Sequence, residues 1–389
     1  MSKAAAKSPR RKTEKTTGGE VAVSSSKRGT IAKDVARIAG VSTATVSRAF
    51  NYPDHVSAEV RARIESVAKN LGWAPHGAAR ALATRRSGAI GAVFPTLTLG
   101  DFPRAIQALQ HELARNKHTL LLAFSEYDLD QELGQIRMLL EGGVDGLVLV
   151  GKSHHEDVPE LLARYGIPTI HAFVFDPAAP NTCIGPDNHK ALYRLTRHLI
   201  DLGHTRFGIL GQSARNNDRV RARLQGVRDA LAESSIAVHP KHFAEGQWGI
   251  AEGKFLLRRI LRHSPAPTAL VCGNGYLAIG AMLECQRLGI RVPEDMSIVG
   301  YDDFEIMSEL PVPITTVRVS GEDVGRRCAQ TLISRLTGTV DEPPHECSAE
   351  LLLRASSGPP RKREIPALDL GPEEHRDQEI DEARPIRLA

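Results

Sequence analysis

Nothing in this chain approaches the roughly 20 consecutive apolar residues that a membrane helix needs. Its basic N-terminus is not followed by the apolar stretch of a secretory leader either. A cytoplasmic protein with no membrane partner is therefore expected. Cysteine is sparse and unpatterned. Cys183, Cys272, Cys285, Cys328 and Cys347 are odd in number, and no two form a CxxC pair. This argues against a disulfide framework and against a zinc site, and points to reduced, mostly buried thiols. The 15 histidines show no metal-like cluster along the chain, so no metal and no cofactor is expected. Signatures of enzymes are missing too: there is no GxSxG, no P-loop, no GxGxxG after a strand and no HExxH. The chain does not read as an enzyme.

What is present fits a soluble globular protein of more than one folding unit. The chain has 389 residues, 41% hydrophobic and 25% charged. Its net charge of +4 conceals a division. Residues 1–88 hold 17 Lys and Arg against 6 Asp and Glu, whereas the remainder holds 33 against 40. A basic front on an acidic body suggests that the front meets a polyanion.

Residues 1–28 are rich in Lys, Arg, Ser and Thr with almost no large apolar side chain, which predicts a disordered basic tail. Residues 358–389, with Pro, mixed charges and little apolar pattern, also read as a disordered tail. They show no heptad repeat, so a C-terminal coiled coil for tetramer formation is not expected. Residues 29–74 read as three short helices. Val35, Ala36 and Ala39 mark the inner face of the first, and Gly40 supplies a turn. Ser42 caps the second, whose buried face is Val46, Ala49 and Phe50. Ser57 caps the third, with Val60, Ile64, Val67 and Leu71 inward. Two helices joined by a glycine turn make a helix-turn-helix.

From residue 89 the rhythm changes. Short apolar runs at Ile90–Pro95, Thr119–Phe124, Gly146–Val150, Pro168–Phe173, Phe207–Gly211, Ala269–Gly273 and Ser297–Tyr301 read as strands. Amphipathic stretches such as 128–142, 188–202 and 277–288 lie between them. This alternation predicts parallel sheets covered by helices, and the strands are too many for one small sheet. The fold class is thus an all-α helix-turn-helix head plus a two-lobed, doubly wound α/β body over 89–357. Ligands of such sheets bind beyond the carboxyl ends of the strands. Those ends carry Thr96–Asp101, Gly151–His154, His171–Phe173, Gln212–Asn217, Asn274 and Asp302.

On the second helix, Thr43, Ala44, Thr45, Ser47 and Arg48 are small or hydrogen-bonding, with one cation. A helix entering the major groove needs short side chains and donors of this kind. Arg48 can grip guanine or a phosphate, and Thr43 or Ala44 can touch a thymine methyl. Asn51 and His55, just beyond, are placed for phosphates.

The run DVARIAGVSTATVSRAFN, Asp34 to Asn51, resembles the signature of the lactose-repressor family of bacterial regulators, and the resemblance continues to residue 95 and covers roughly 30–357. It implies that Thr43 and Ala44 read operator bases. It also implies a hinge helix from His76 to Ala83 within a linker over 75–88. There Leu82 would wedge into the central base step with Ala79 beside it, kinking the DNA. The body would be similar to periplasmic sugar-binding proteins, with two lobes and three crossovers. Arg223 would reach the ligand, where a guanidinium suits vicinal hydroxyls or a carboxylate. Trp248 would cover the sugar face, Asn274 and Asp302 would take ligand hydroxyls, and Phe102 and Phe173 would line the apolar wall. The family usually has Asn-Asp where this chain has Asn274-Gly275, a departure at a position that faces the ligand in that family. The stretch 283–301 looks most like gluconate-type repressors. The expected function is a DNA-binding regulator, a repressor that leaves a palindromic operator when a sugar or sugar acid binds. The expected unit is a homodimer, with Tyr276–Leu288 in the dimer contact. The competing reading is a sugar-binding module of transport or chemotaxis, which the basic head and the missing leader oppose.

Overall fold

Residues 32–74, 86–98, 100–179, 182–339 and 343–361, with Ile365 and Leu370, are described by the computed structural model. They fall into two units, Met1–Arg80 and Ala81–Ala389.

In the first unit, hydroxyl caps and one glycine set the ends of three helices: α1 (Ala32–Ala39), α2 (Thr43–Asn51) and α3 (Ala58–Asn70). Gly40 turns the chain at φ +66°, where a side chain would be strained. The Ser42 hydroxyl accepts from the Thr45 N–H at 3.0 Å, and Ser57 accepts from Val60 at 3.4 Å. Val35, Ala36, Ala39, Val46, Ala49, Ile64 and Ala68 form the core, closed by Phe50 and Trp73 edge to face at 5.4 Å. The expected inner faces are thus met, with Phe50, Val60, Val67 and Leu71 partly rather than fully covered. Ala79 and Leu82 of the expected hinge helix lie outside the described residues.

The second unit contains two sheets. In one, strands β1 (Ala89–Phe94), β2 (Thr119–Phe124), β3 (Gly146–Val150), β4 (Thr169–Ala172) and β5 (Thr182–Gly185) run in the order β5-β4-β3-β1-β2, all parallel. The other holds β6 (Phe207–Gln212), β7 (Phe243–Gly246), β8 (Ala269–Cys272), β9 (Ser297–Tyr301) and β10 (Thr315–Val319) in the matching order β10-β9-β8-β6-β7. A short β11 (His345–Glu346) joins β5, and β12 (Ala349–Leu352) pairs antiparallel with β10. Each strand order reverses once, between β1 and β3 and between β6 and β8, and these reversals open the crevices where ligands bind.

Helices cover both faces. The first lobe carries α4 (Phe102–Arg115), α5 (Leu129–Glu141), α6 (Val158–Tyr165) and α12 (Gly321–Thr337). The second carries α7 (Asn188–Asp201), α8 (Asp218–Glu233), α9 (Ile250–Leu261), α10 (Gly275–Leu288) and α11 (Glu305–Glu309). Alternation along β3 shows why both faces are apolar. Val148 and Val150 enter the core under α4 and α12, whereas Leu147 and Leu149 enter the core under α5.

The chain crosses between the lobes three times: after Gly185, after Val319 and after Glu346. The expected strands are all present, within a residue at their ends. The expected body boundary at 357 falls short. The Gly358 carbonyl accepts from Ser297 Oγ at 3.0 Å, Arg361 binds the carbonyls of Ala266 and Pro267, and Ile365 packs on the second-lobe core. Buried backbone groups with partners of this kind do not behave as a free tail. All five cysteines are buried thiols outside any disulfide. No helix among the described residues is long and apolar enough to cross a membrane.

Candidate functional site

The crevice between the lobes of the body is lined from both sides. Gly100, Asp101, Phe102, Tyr127 and Phe173 come from the first lobe. The second lobe supplies Gln212, Asn217, Arg219, Arg223, Asn274, Tyr301 and Asp302, and Asn188 stands just after the first crossing. Five of the six expected ligand residues therefore meet: Phe102, Phe173, Arg223, Asn274 and Asp302. Trp248 does not line the cavity.

Arg223 sits in the second turn of α8. Its guanidinium lies 4.3 Å above the Tyr301 ring, and Nη1 donates to Asn188 Oδ1 at 3.3 Å. Asn188 is held in turn by the Tyr301 hydroxyl at 3.1 Å and by donating to the Phe173 carbonyl at 3.0 Å. The Arg223 Nε is buried with no hydrogen-bond partner. A buried donor left unmet costs about 1–3 kcal/mol, so this group is poised for an acceptor that enters the cleft.

Asp302 follows β9 in the left-handed region at φ +74°. Its carboxylate accepts from the Gly275 N–H at the start of α10. Burial pushes its pKa up to about 6, opposed by Arg223 and reinforced by Asp101. Burial also lifts the Asp101 carboxyl above its ordinary range, against the pull of the Gly321 N–H that it accepts at 2.5 Å. Asn274 uses Oδ1 to cap α10 at Leu277, 2.9 Å away, and Nδ2 to reach Gln212 at 3.3 Å. It shapes the wall first. The apolar side is an edge-to-face pair, Phe102 and Phe173, at 4.9 Å and 87°. Trp248 instead leans on Tyr276 at 6.1 Å, Tyr276 lies on Phe304 at 4.4 Å, and the Tyr276 hydroxyl donates across the lobes to the Thr98 carbonyl at 3.1 Å.

The Gly275 departure has a packing reason. A Cβ there would come within 2.6 Å of the Phe304 ring and 2.9 Å of Met307 Sδ. Glycine is what the aromatic stack above α10 requires.

The two lobes also clasp each other beside the cavity. Arg219 donates to the Val150 carbonyl at 3.0 Å, and Asp218 accepts from the Lys152 N–H at 2.9 Å. Between them stands Gly151 at φ +79°, where any Cβ would run into Arg219 and Asp218. Two histidines converge behind this glycine: His171 and His154 both reach the Gly151 carbonyl, at 2.8 and 3.1 Å. Burial lowers His171 to a pKa of about 4, so it is a neutral core histidine.

Arg219, Tyr127 and Tyr301 were missed by sequence reasoning. Arg219 stands one helical turn before Arg223, and that i, i+4 spacing was an available signal. Tyr301 directly precedes Asp302 at a strand end. Tyr127 offered none: it enters the cleft only because its backbone adopts φ +64°.

In the head, Thr43, Ala44, Ser47 and Arg48 are exposed on one side of α2, and Thr45 is half-buried against the Ser42 cap. Asn51 Nδ2 donates to Ser47 Oγ at 3.2 Å, and His55 stacks on Tyr52 at 5.8 Å. The surface offered is flat, small and polar with one free-standing cation, which suits close approach to a groove.

Known proteins share this architecture. A family profile described as "Bacterial regulatory proteins, lacI family" matches residues 31–76, and one described as "Periplasmic binding protein-like domain" matches 196–357. The HTH-type transcriptional repressor PurR of Haemophilus influenzae (strain PittEE) is 31% identical over 330 residues, spanning 83% of this chain and 97% of that protein. The ribose operon repressor of Haemophilus influenzae (strain ATCC 51907 / DSM 11121 / KW20 / Rd) is 29% identical, spanning 78% and 91%. Among solved structures, the lac repressor dimer bound to operator and the anti-inducer ONPF superposes with a TM-score of 0.76 at 26% identity, covering 85% of this chain and 100% of that one. The transcription regulator GntR from Chromobacterium violaceum gives 0.65 at 30% identity, covering 69% and 99%.

Proposed function

This chain belongs to the lacI family of bacterial regulatory proteins, a DNA-binding transcription regulator with an effector-binding domain and not an enzyme, and we propose that it is a repressor released from a palindromic operator by a small sugar acid. The observation that carries the effector reading is the buried, unpartnered Nε of Arg223 in a cleft that also holds Arg219. Guanidinium groups fork onto carboxylates. The amides of Asn188, Gln212, Asn217 and Asn274, with Asp302, offer partners for several hydroxyls. Gluconate and its oxidised relatives have that combination.

A second reading is a purine base, favoured by the identity with the PurR repressors. Against it stands the geometry of the aromatic wall. Phe102 and Phe173 meet edge to face and present no parallel faces for a planar ring.

DNA reading is assigned to Thr43, Ala44, Thr45, Ser47 and Arg48, with Asn51 and His55 towards phosphates. Ala79 and Leu82 keep the hinge role that the family implies. Two-fold symmetry is proposed from a palindromic target and from an uncovered edge. Leu121 and Leu122 on β2 are 40% and 38% exposed, and Met138 on α5 is 66% exposed. Such apolar surface on an edge strand calls for a partner. The expected dimer helix, α10, offers less. Most of it is buried in its own lobe, and beyond Tyr276 only Leu283, Gln286, Arg287 and Leu288 present open or partly open side chains.

Calorimetric titration of the purified protein with gluconate, 2-ketogluconate, neutral hexoses and purine bases tests the reading. Binding of a sugar acid alone, at roughly micromolar affinity, supports it. Binding of a purine base alone replaces it with the second reading. Silence across the panel removes both.

A further inference from the structure

Asp323, His345 and Cys347 meet at the joint between the lobes of the body. Asp323 lies in the first turn of α12, His345 in β11, and Cys347 just beyond β11. One donor atom from each, a carboxylate oxygen, an imidazole nitrogen and a thiol sulfur, lies within 4.8 Å of the other two. Ligands of tetrahedral zinc, about 2.0–2.3 Å from the ion, stand roughly 3.3–3.8 Å from one another. Small side-chain rotations cover the difference. We propose that this cluster binds a divalent transition metal of the zinc class, with Asp323, His345 and Cys347 as ligands and a fourth position open to water.

The donor set is the one such ions select, imidazole and thiolate with one carboxylate. The cluster is also supported from behind. Arg326 holds one oxygen of Asp323, and Arg327 Nε donates to the other at 2.9 Å. A ligating carboxylate is commonly fixed by such outer partners. The two arginines also compete, because the ion must draw one oxygen from them. This makes the site exchangeable. In the metal-free protein the Cys347 thiol donates to Asp323. Metal binding displaces that proton, so one proton leaves as the sulfur–metal bond forms. Cys347 is 1% exposed, whereas Asp323 and His345 are half-buried, so the ion enters from their side.

The position gives the site a role. α12 begins where the chain returns from the second lobe, and Cys347 lies in the next crossing. Its N–H is bonded to the Gly185 carbonyl at 2.8 Å, at the edge of the remaining crossing. A bound ion ties the segments on which the lobes would turn. No ligand-spacing pattern betrayed the site, because Asp323 is far from the other two in sequence and only β11 pairing with β5 brings them together.

The test is titration of the full-length protein with cobalt(II), read by absorbance and proton release, followed by competition with zinc. One ion per chain is expected, with a thiolate-to-cobalt charge-transfer band and one proton released. His345→Ala and Cys347→Ala should each weaken binding by more than about tenfold, since even outer partners are worth 10–100-fold. Cys328→Ala should leave it unchanged. Absence of binding, or a thiolate band that survives Cys347→Ala, overturns the proposal. Because Cys347 is core-packed and its variant could misfold, Asp323→Asn and His345→Ala are measured beside it. Full-strength cobalt binding in both overturns the proposal as well.

Discussion

At the scale of single residues, the two arginines separate the two activities. Arg48→Ala should abolish binding to operator DNA, read by fluorescence anisotropy, while calorimetric effector binding stays intact. Arg223→Ala should do the reverse: it should hold DNA and ignore the effector. A loss of both activities in either variant would point to misfolding. Two titrating groups pull the body in opposite directions. Asp302 has its folded pKa raised to about 6, so its ionised form is penalised above that pH, and the penalty is relieved as pH falls towards 4. His171 has its folded pKa lowered to about 4, so stability is lost as pH falls from about 6.5 towards 4. The shifts are similar in size and oppose one another. Asp302→Asn should therefore make thermal stability fall more steeply between about pH 6.5 and 5 than in the unmodified protein, as one of the groups opposing His171 is lost. An unchanged slope in differential scanning calorimetry would remove the role given to Asp302. The legible residues were those in family-patterned segments, Arg223, Asn274 and Asp302. Tyr127 stayed hidden because a positive-φ backbone, not a side-chain pattern, aims it. Trp248 was misplaced because an aromatic ring that stacks on a neighbour and one that stacks on a ligand look alike in sequence.

At the scale of elements, strands with a sustained apolar run were readable, and the short β5 and β7 were not. β3 and β8 are continuous apolar runs, since both of their faces are buried. β5 reads Thr-Cys-Ile-Gly and β7 reads Phe-Ala-Glu-Gly, four residues each, too short for any period to emerge. Helix caps were legible at Ser42 and Ser57 because the capping hydroxyl is local chemistry. The clasp at Gly151 was not, because it depends on α8 arriving from elsewhere in the chain. That clasp yields a sharp expectation. Gly151→Ala adds a side chain at φ +79° and collides with Arg219 and Asp218. It should cost at least about 1–3 kcal/mol if the lobes stay together. Alternatively the lobes will part, and small-angle scattering will report a larger body. A variant that is both as stable and as compact as the original would show that the clasp contributes nothing.

At the scale of the whole molecule, the basic front and acidic body, the three-helix head and the paired sheets all follow from charge distribution and periodicity, and these were visible from the start. Assembly was less visible, because exposed leucines look like any others until the sheet order places β2 at an edge. Leu121→Lys together with Met138→Glu should convert the proposed dimer to a monomer in analytical ultracentrifugation and weaken operator binding by at least about 100-fold, since two linked half-sites act at high effective concentration. A variant that sediments as a dimer would move the interface elsewhere. The three crossings carry a last consequence, for heredity rather than mechanics. Each lobe is a mosaic, with α12 and β11 of the first encoded after most of the second. No single recombination point can hand one lobe intact to another gene. A frameshift before β11 removes the closing element of both lobes, β11 from the first and β12 from the second. A single exchange point therefore moves the body only as a whole, and without paired exchanges a new specificity comes from substitution within the cleft rather than from exchange of lobes.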